Sequence, residues 1–385
     1  MKILISSEWY EPIPNGVVTS IINLKRELEN MGHEVRVLTM SRDIFTYKSN
    51  GIYYFGSLNF SMVYPNARLS FFRGRELLGE LINWKPDIIH SQTEFSSFFY
   101  AKRISQKTGA PQVHTYHTVY EDYTHYFSLS KRVGVAEIKY LTNKLLSRVD
   151  SVIVPTEKTK KLLERYNVRK HIDVIPSGIN LNKHNSIIST DERVALREKY
   201  GISADDKLLV FVGRVGKEKN LGELISLVQR MPDVKLMIVG DGPFRNELED
   251  IVSGLDLRGR IVFTGMVNPI EVSKYYQAGD LFTSASTSET QGLTYIEALA
   301  NGLPVLARKD PCLNDVVIDG VNGWQFVTGT EFLKCAKKYF KSEDLQGKMK
   351  KSAKESSKKF SSEVFANSCL EVYKTTIKRK RRRRK

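Results

Sequence analysis

The chain has 385 residues, 41% hydrophobic and 26% charged, with 25 Gly and 12 Pro; this supports two to three domains with real cores and excludes a disordered or linker-dominated chain. No uninterrupted apolar stretch reaches the roughly 20 residues of a membrane-spanning helix, and Cys312, Cys335 and Cys369 form no C-x-x-C pair, so neither a disulfide framework nor a zinc site is supported and a reducing compartment fits. Net charge is +16, half of it carried by the unbroken basic run Lys378 to Lys385, so an anionic partner is expected: acidic lipid, a phosphorylated small molecule or nucleic acid.

The opening MKILIS is too short for the apolar region of a signal peptide, because Glu8, Trp9 and Tyr10 follow at once. It reads as the first strand of a protein that stays in the cytoplasm. Runs apolar on both faces recur at Val35 to Met40, Asp87 to Ser91, Gln112 to His117 and Ser151 to Pro155, with helical stretches such as Leu24 to Leu28 between them. That is the rhythm of βαβ units in a parallel sheet covered on both sides. The polar stretch Leu181 to Thr190 reads as a linker. A second series follows at Lys207 to Val212, Val234 to Val239, Arg260 to Thr264, Leu281 to Ala285 and Pro304 to Ala307.

The expected fold class is therefore α/β, with two consecutive Rossmann-like, doubly wound domains over 1–180 and 191–360 facing across a cleft, and ligands beyond the carboxyl ends of the strands. A C-terminal helix over 361–377, able to cross back to the first domain, precedes a basic tail over 378–385. The chain past Thr376 is expected to have no fixed structure.

The segment Ser284 to Pro304, SASTSETQGLTYIEALANGLP, carries the most chemistry. A strand ends, a small-residue loop turns, and a helix begins near Gly292 or Leu293, so backbone N–H groups at its start can hold an anion. Glu289 in the loop and Glu297 in the helix are either acceptors for vicinal sugar hydroxyls or solvated charges favoured by the helix dipole. Near the end of the Gln112 strand, QVHTYHT places His114 and His117. His114 is read as packing.

Glu289 to Glu297 with Ala298-Leu-Ala-Asn-Gly302-Leu-Pro304 resembles the signature of the GT-B retaining glycosyltransferases of family 4. So do Gly213-Arg214-Val-Gly-Lys-Glu-Lys219-Asn220, Gly240-Asp-Gly-Pro243, Val174-Ile-Pro-Ser-Gly178-Ile and Pro14-Asn15-Gly16-Val17, and the resemblance covers nearly the whole chain. It implies that Glu297 holds the ribose of a nucleotide sugar and that Glu289 contacts the transferred sugar. Arg214 and Lys219 would clamp the diphosphate, while Gln291 lines the donor pocket and Gly292, Leu293 and Thr294 offer helix-terminal amides. His117 would point towards the sugar, and Gly16 would let the backbone approach the donor or acceptor. Asn15 stands where the family often has a first glycine. With no D-x-D cluster at a strand end, transfer is expected to need no metal and no cofactor, the donor being a UDP-sugar, by expectation UDP-glucose.

For the acceptor, His90-Ser-Gln-Thr-Glu94-Phe-Ser and HTYHT resemble the subset of that family that glucosylates diacylglycerol. Leu129 to Val149 puts Ile138, Leu141, Leu145 and Val149 on one helical face with Lys139, Lys144 and Arg148 around it. This is either a basic amphipathic helix on an anionic bilayer or a helix packed on the sheet. Phe60 to Arg75, with Arg68, Phe71, Phe72, Arg73 and Arg75, is a second interfacial candidate. The expected partners are the UDP-sugar, a diacylglycerol or glycolipid acceptor and an anionic membrane surface, with the protein peripheral on the inner face of the cell membrane. A teichoic acid, glycan or protein acceptor is the rival; a nucleic-acid partner accounts only for the tail and is not expected.

Overall fold

The structure, a computed structural model, describes residues 1–13, 15–59, 68–70, 74–121, 131–184 and 186–383. The chain forms two compact units: Met1–Ile179 with Ser362–Lys385, and Asn180–Ser361.

The first unit runs β1 (Lys2–Ser6), α1 (Gly16–Asn30), β2 (Glu34–Met40), β3 (Tyr47–Ser49), β4 (Ile52–Phe55), β5 (Leu58–Asn59), β6 (Arg68–Leu69), α2 (Arg75–Trp84), β7 (Ile88–Ser91), α3 (Ser96–Thr108), β8 (Gln112–Thr115), α4 (Lys131–Leu146), β9 (Ser151–Val154), α5 (Glu157–Arg165) and β10 (Ile172–Val174). Its sheet has the order β10-β9-β8-β7-β1-β2-β4-β3, parallel except where β3 pairs with β4. Ile3 and Ile5 enter a cluster with Leu24, Val113, Phe365, Cys369 and Tyr373, while Leu4 enters the opposite one with Leu81, Ile89 and Tyr100. Burial on both faces is why the strand reads as an unbroken apolar run.

The chain winds outward from β1 to β2 and β4, then returns to β7 on the other side of β1. The sheet thus reverses between β1 and β7, and in such sheets the crevice beyond the strand ends at the reversal receives ligands.

The second unit runs α6 (Thr190–Glu198), β11 (Lys207–Val212), α7 (Leu221–Gln229), β12 (Val234–Val239), α8 (Arg245–Gly254), β13 (Ile261–Gly265), α9 (Val272–Ala278), β14 (Leu281–Ser284), α10 (Leu293–Ala300), β15 (Val305–Arg308), β16 (Gly323–Phe326), α11 (Gly329–Phe340) and α12 (Glu343–Ser357). Its parallel sheet, β13-β12-β11-β14-β15-β16, reverses between β11 and β14.

The last helix, α13 (Ser362–Arg382), packs against α1 in the first unit. The expectation of an unstructured chain past Thr376 is wrong: the helix continues through the basic run to Arg382, because Thr376 is buried on its inner face and Lys380 is tied down. The Lys380 Nζ donates to Asp150 Oδ2 at 2.9 Å and to the Ala110 carbonyl at 3.2 Å. Residues 384 and 385 lie outside the described residues. So do Pro14, Leu129 and Ser130, and residues 60–67 and 71–73 of the second interfacial candidate. In the expected linker, a 3-10 turn over Leu181–His184 already belongs to the second unit.

Candidate active site

In the second unit the site residues come from the two loops at the reversal point. The β11 loop supplies Arg214 and Lys219, and the β14 loop supplies Glu289 and Gln291. They are joined: Lys219 Nζ donates to Glu289 Oε1 at 2.6 Å, with both side chains mostly buried, and the Thr287 amide donates to the Glu218 carbonyl at 3.3 Å. Arg214, by contrast, is exposed, and its guanidinium makes no hydrogen bond with any described residue.

Glycine is required behind these loops. A Cβ on Gly240 (φ +129) would lie 2.0 Å from the Gly213 carbonyl oxygen, so the β11 and β12 loops meet backbone to backbone. Gly292 precedes α10 at φ +74, and a Cβ there would strike the Tyr295 ring at 2.5 Å. The N-cap Gly292 has no side chain to cap the helix, whose first residues, Leu293 and Thr294, directly follow the loop that holds Glu289 and Gln291.

Glu297 lies one turn into α10 and accepts from the Tyr276 hydroxyl at 2.8 Å on Oε2. Its Oε1 makes no hydrogen bond with any described residue. Burial raises its pKa, opposed by the Tyr276 hydrogen bond and the nearby Lys183 ammonium. The sequence reading missed Tyr276 and Lys183. Tyr276 sits in a short helix, VSKYYQA, 21 residues from Glu297 with no motif around it, and Lys183 lies in the stretch taken for linker.

In the first unit, β8 ends at Thr115, so His117 stands two residues beyond the strand. Its Nε2 donates to Gln92 Oε1 at 2.6 Å, leaving Nδ1 as an acceptor. Burial, reinforced by neighbouring His114, pushes its pKa down to about 3, so the ring is neutral at physiological pH. Gln92 continues to His90, which is held between Thr115 Oγ1 and the Tyr373 hydroxyl at 2.6 Å each. His114 is fully buried, bonded to Ser91 and to Glu94 Oε1 at 3.2 Å, and Glu94 Oε2 accepts from Tyr120 at 2.6 Å.

Asn15 is the N-cap of α1, its side-chain oxygen accepting from the Val18 amide at 2.8 Å, with exposed Gly16 as the first helical residue. The residue that replaces the family's first glycine thus orients a second helix start.

Glu8, which the sequence reading passed over, bridges the reversal point of this unit. Its amide donates to Thr93 Oγ1 at 2.7 Å and its Oε2 accepts from the Ser97 amide at 3.1 Å, while buried Oε1 has no hydrogen-bond partner among the described residues. Burial raises its pKa to about 8. Glu8, Gln92 and Glu94 all follow the carboxyl ends of inner strands, and that position was the signal available for finding them.

Among the described residues no cluster of three or more His, Cys, Asp or Glu side chains is placed to hold a metal ion, and no helix is long and apolar enough to cross a membrane.

Solved structures share this architecture across almost its full length. HepE of Anabaena, crystallised with UDP and glucose, superposes with a TM-score of 0.76 at 19% identity, covering 97% of this chain and 100% of that one. Sucrose-phosphate synthase of Thermosynechococcus elongatus gives 0.76 at 20% identity, covering 97% and 98%. The two Rossmann-like units are those of a glycosyltransferase with the GT-B fold.

The family model described as Glycosyltransferase Family 4 matches residues 14–183, and that described as Glycosyl transferases group 1 matches residues 192–356. The chain is 38% identical over 84% of its length to the alpha-monoglucosyldiacylglycerol synthase of Streptococcus pneumoniae, covering 74% of that protein. To the Acholeplasma laidlawii protein of the same name it is 36% identical, over 97% of this chain and 96% of the relative. The chain belongs to glycosyltransferase family 4 and is a glycosyltransferase enzyme.

Proposed function

We propose that the protein transfers glucose from UDP-glucose to diacylglycerol at the surface of an anionic bilayer, with retention at the sugar carbon and without a metal ion. One observation carries the reading: 36% identity to an alpha-monoglucosyldiacylglycerol synthase over 97% of the chain.

Each candidate residue then has a physical task. Glu297 accepts hydrogen bonds from the ribose hydroxyls, with Tyr276 fixing its orientation. The diphosphate draws the Lys219 ammonium and the Arg214 guanidinium, and its oxygens meet the amides of Gly292, Leu293 and Thr294 at the start of α10. When the diphosphate takes Lys219, Glu289 turns to the sugar hydroxyls, with Gln291 beside it. In the first unit the neutral His117 offers Nδ1 as an acceptor to a sugar hydroxyl, and Gly16 leaves room at the start of α1.

In the transfer the acceptor hydroxyl oxygen bonds to C1 of glucose as the bond from C1 to the phosphate oxygen breaks. The hydroxyl proton passes to that phosphate oxygen, and UDP leaves. Arg214, Lys219 and the α10 amides stabilise the charge that develops on the diphosphate. Units 1–180 and 191–360 accordingly divide the work into acceptor and donor binding.

The reading is tested by mass spectrometry of products after incubation with UDP-glucose and liposomes of diacylglycerol and an anionic lipid, with and without EDTA. The expected product is a hexosyl-diacylglycerol formed equally in both. UDP release without a lipid product would transfer the reading to a glycolipid, teichoic acid, glycan or protein acceptor, and loss of product with EDTA would overturn metal independence.

A further inference from the structure

The apolar stripe expected on one face of α4 is divided by the fold. Ile138 and Val149 turn inward onto the sheet, at 6% and 2% exposure, whereas Leu141 faces out at 61%, with Val133 and Tyr140 also exposed. Leu141 and Phe99 of α3, itself 44% exposed, belong to an apolar groove of about 610 Å³ between α3 and α4.

The two ends of this groove differ. Helices α3 and α4 both run antiparallel to the strands they connect, so the groove spans the sheet from its carboxyl edge to its amino edge. At the carboxyl edge it ends on Glu94, whose carboxylate is oriented by His114 and Tyr120, two residues from the Gln92 that holds His117. At the amino edge it ends on Lys144 and Arg148. Lys102, which donates to the Arg148 carbonyl, lies close enough to Lys170 and Lys380 to feel their charge. Glu137, part-way along α4, also lines the groove, and Asp150, which Lys380 binds, is an acidic group at the amino edge.

This is the shape of a receptor for a long hydrocarbon with one hydroxyl. A glycan would require polar partners along the walls, and a phosphate polymer would meet the Glu94 carboxylate at the end where the hydroxyl must react. The basic rim at the other end complements an anionic bilayer.

We propose that the groove between α3 and α4 binds one acyl chain of a lipid-alcohol acceptor, and that Glu94 at its carboxyl-edge end positions the acceptor hydroxyl. The inference rests on the diacylglycerol reading above and names where that acceptor lies.

The test uses the full chain and dihexanoylglycerol in solution, without vesicles, its Kd read by calorimetry beside that of UDP. Leu141→Glu and Phe99→Glu alter exposed positions. Each is expected to weaken dihexanoylglycerol tenfold or more and to leave the Kd for UDP unchanged. Glu94→Ala should erase the preference for dihexanoylglycerol over its 3-deoxy analogue, which a merely structural residue would not do. Unchanged dihexanoylglycerol binding in both groove variants overturns the proposal. So does a defect seen only as weaker adsorption to phosphatidylglycerol vesicles, which would make the α4 face a bilayer contact alone. Because binding is read without turnover, absence of glucosyl-diacylglycerol with the unaltered chain would count against the reaction and not against the groove.

Discussion

Lys219 and Glu289 close a 2.6 Å ion pair across the point where the winding of the second sheet reverses. Each is the other's counter-charge, so an anion that captures the lysine must release the carboxylate. Lys219→Ala is expected to lower kcat by about 10² to 10³, the usual cost of one charge-stabilising donor. Glu289→Ala should also transfer slowly yet bind UDP more tightly than the unaltered protein, because the ammonium loses the carboxylate that competes with the diphosphate for it. Calorimetry with UDP decides this, and weaker UDP binding by Glu289→Ala would refute the competition.

Glu297 is expected to act on donor affinity. Glu297→Ala should raise the KM for UDP-glucose about tenfold or more, with a smaller change in kcat, as removal of a ground-state contact does. Tyr276→Phe removes the hydrogen bond that holds the Glu297 pKa down, so the rise in donor KM on acidification should begin at higher pH than in the unaltered protein. Steady-state KM values between pH 5 and 8 measure both, and superimposable profiles would contradict the Tyr276 effect.

Glu8 makes stability fall with rising pH. Its folded pKa is raised from 4.5 to about 8, so between these values the folded state holds a proton that the unfolded state has released. The contribution is complete below 4.5 and is lost as pH rises through about 8, at roughly 1.4 kcal/mol per pH unit. Urea midpoints at pH 5, 6.5 and 8 should decline more steeply for the unaltered chain than for Glu8→Gln. Equal slopes would mean that Glu8 is ionised in the folded state.

Gly240→Ala should destabilise the protein by about 1–3 kcal/mol, because its Cβ would enter the Gly213 carbonyl at a positive φ. The damage should extend to kcat, since Gly213 leads directly into Arg214. Thermal unfolding and kinetics of the same variant test the link; a less stable protein with unchanged kcat would separate the two loops functionally.

Most of the fold was legible because central parallel strands are apolar on both faces. Ile3 to Ile5 and Leu208 to Val212 announce themselves without context. The strands that escaped notice are β3, β10 and β16 at sheet edges, β4 next to one, and the two-residue β5 and β6; short runs, and in all but β16 partial exposure, dilute that signal. In the candidate site, Arg214, Lys219, Glu289 and Glu297 carry motif context in their own loops. Glu8, Gln92 and Tyr276 act through partners distant in sequence, and only the folded backbone brings Glu8 to Ser97 or Tyr276 to Glu297. The split of the α4 stripe was equally hidden, because a helical wheel gives the angle between Ile138 and Leu141 but not which of them faces the sheet.

The contribution of α13 to the first unit has a consequence for biosynthesis. Phe365, Cys369, Leu370 and Tyr373 are part of the core beneath β1, and Tyr373 is the hydroxyl that holds His90. These residues are translated only after the whole of Asn180–Ser361. The second unit can therefore mature on the ribosome while the first waits with an uncovered apolar face. The half of the protein that is begun first is the half that is finished last.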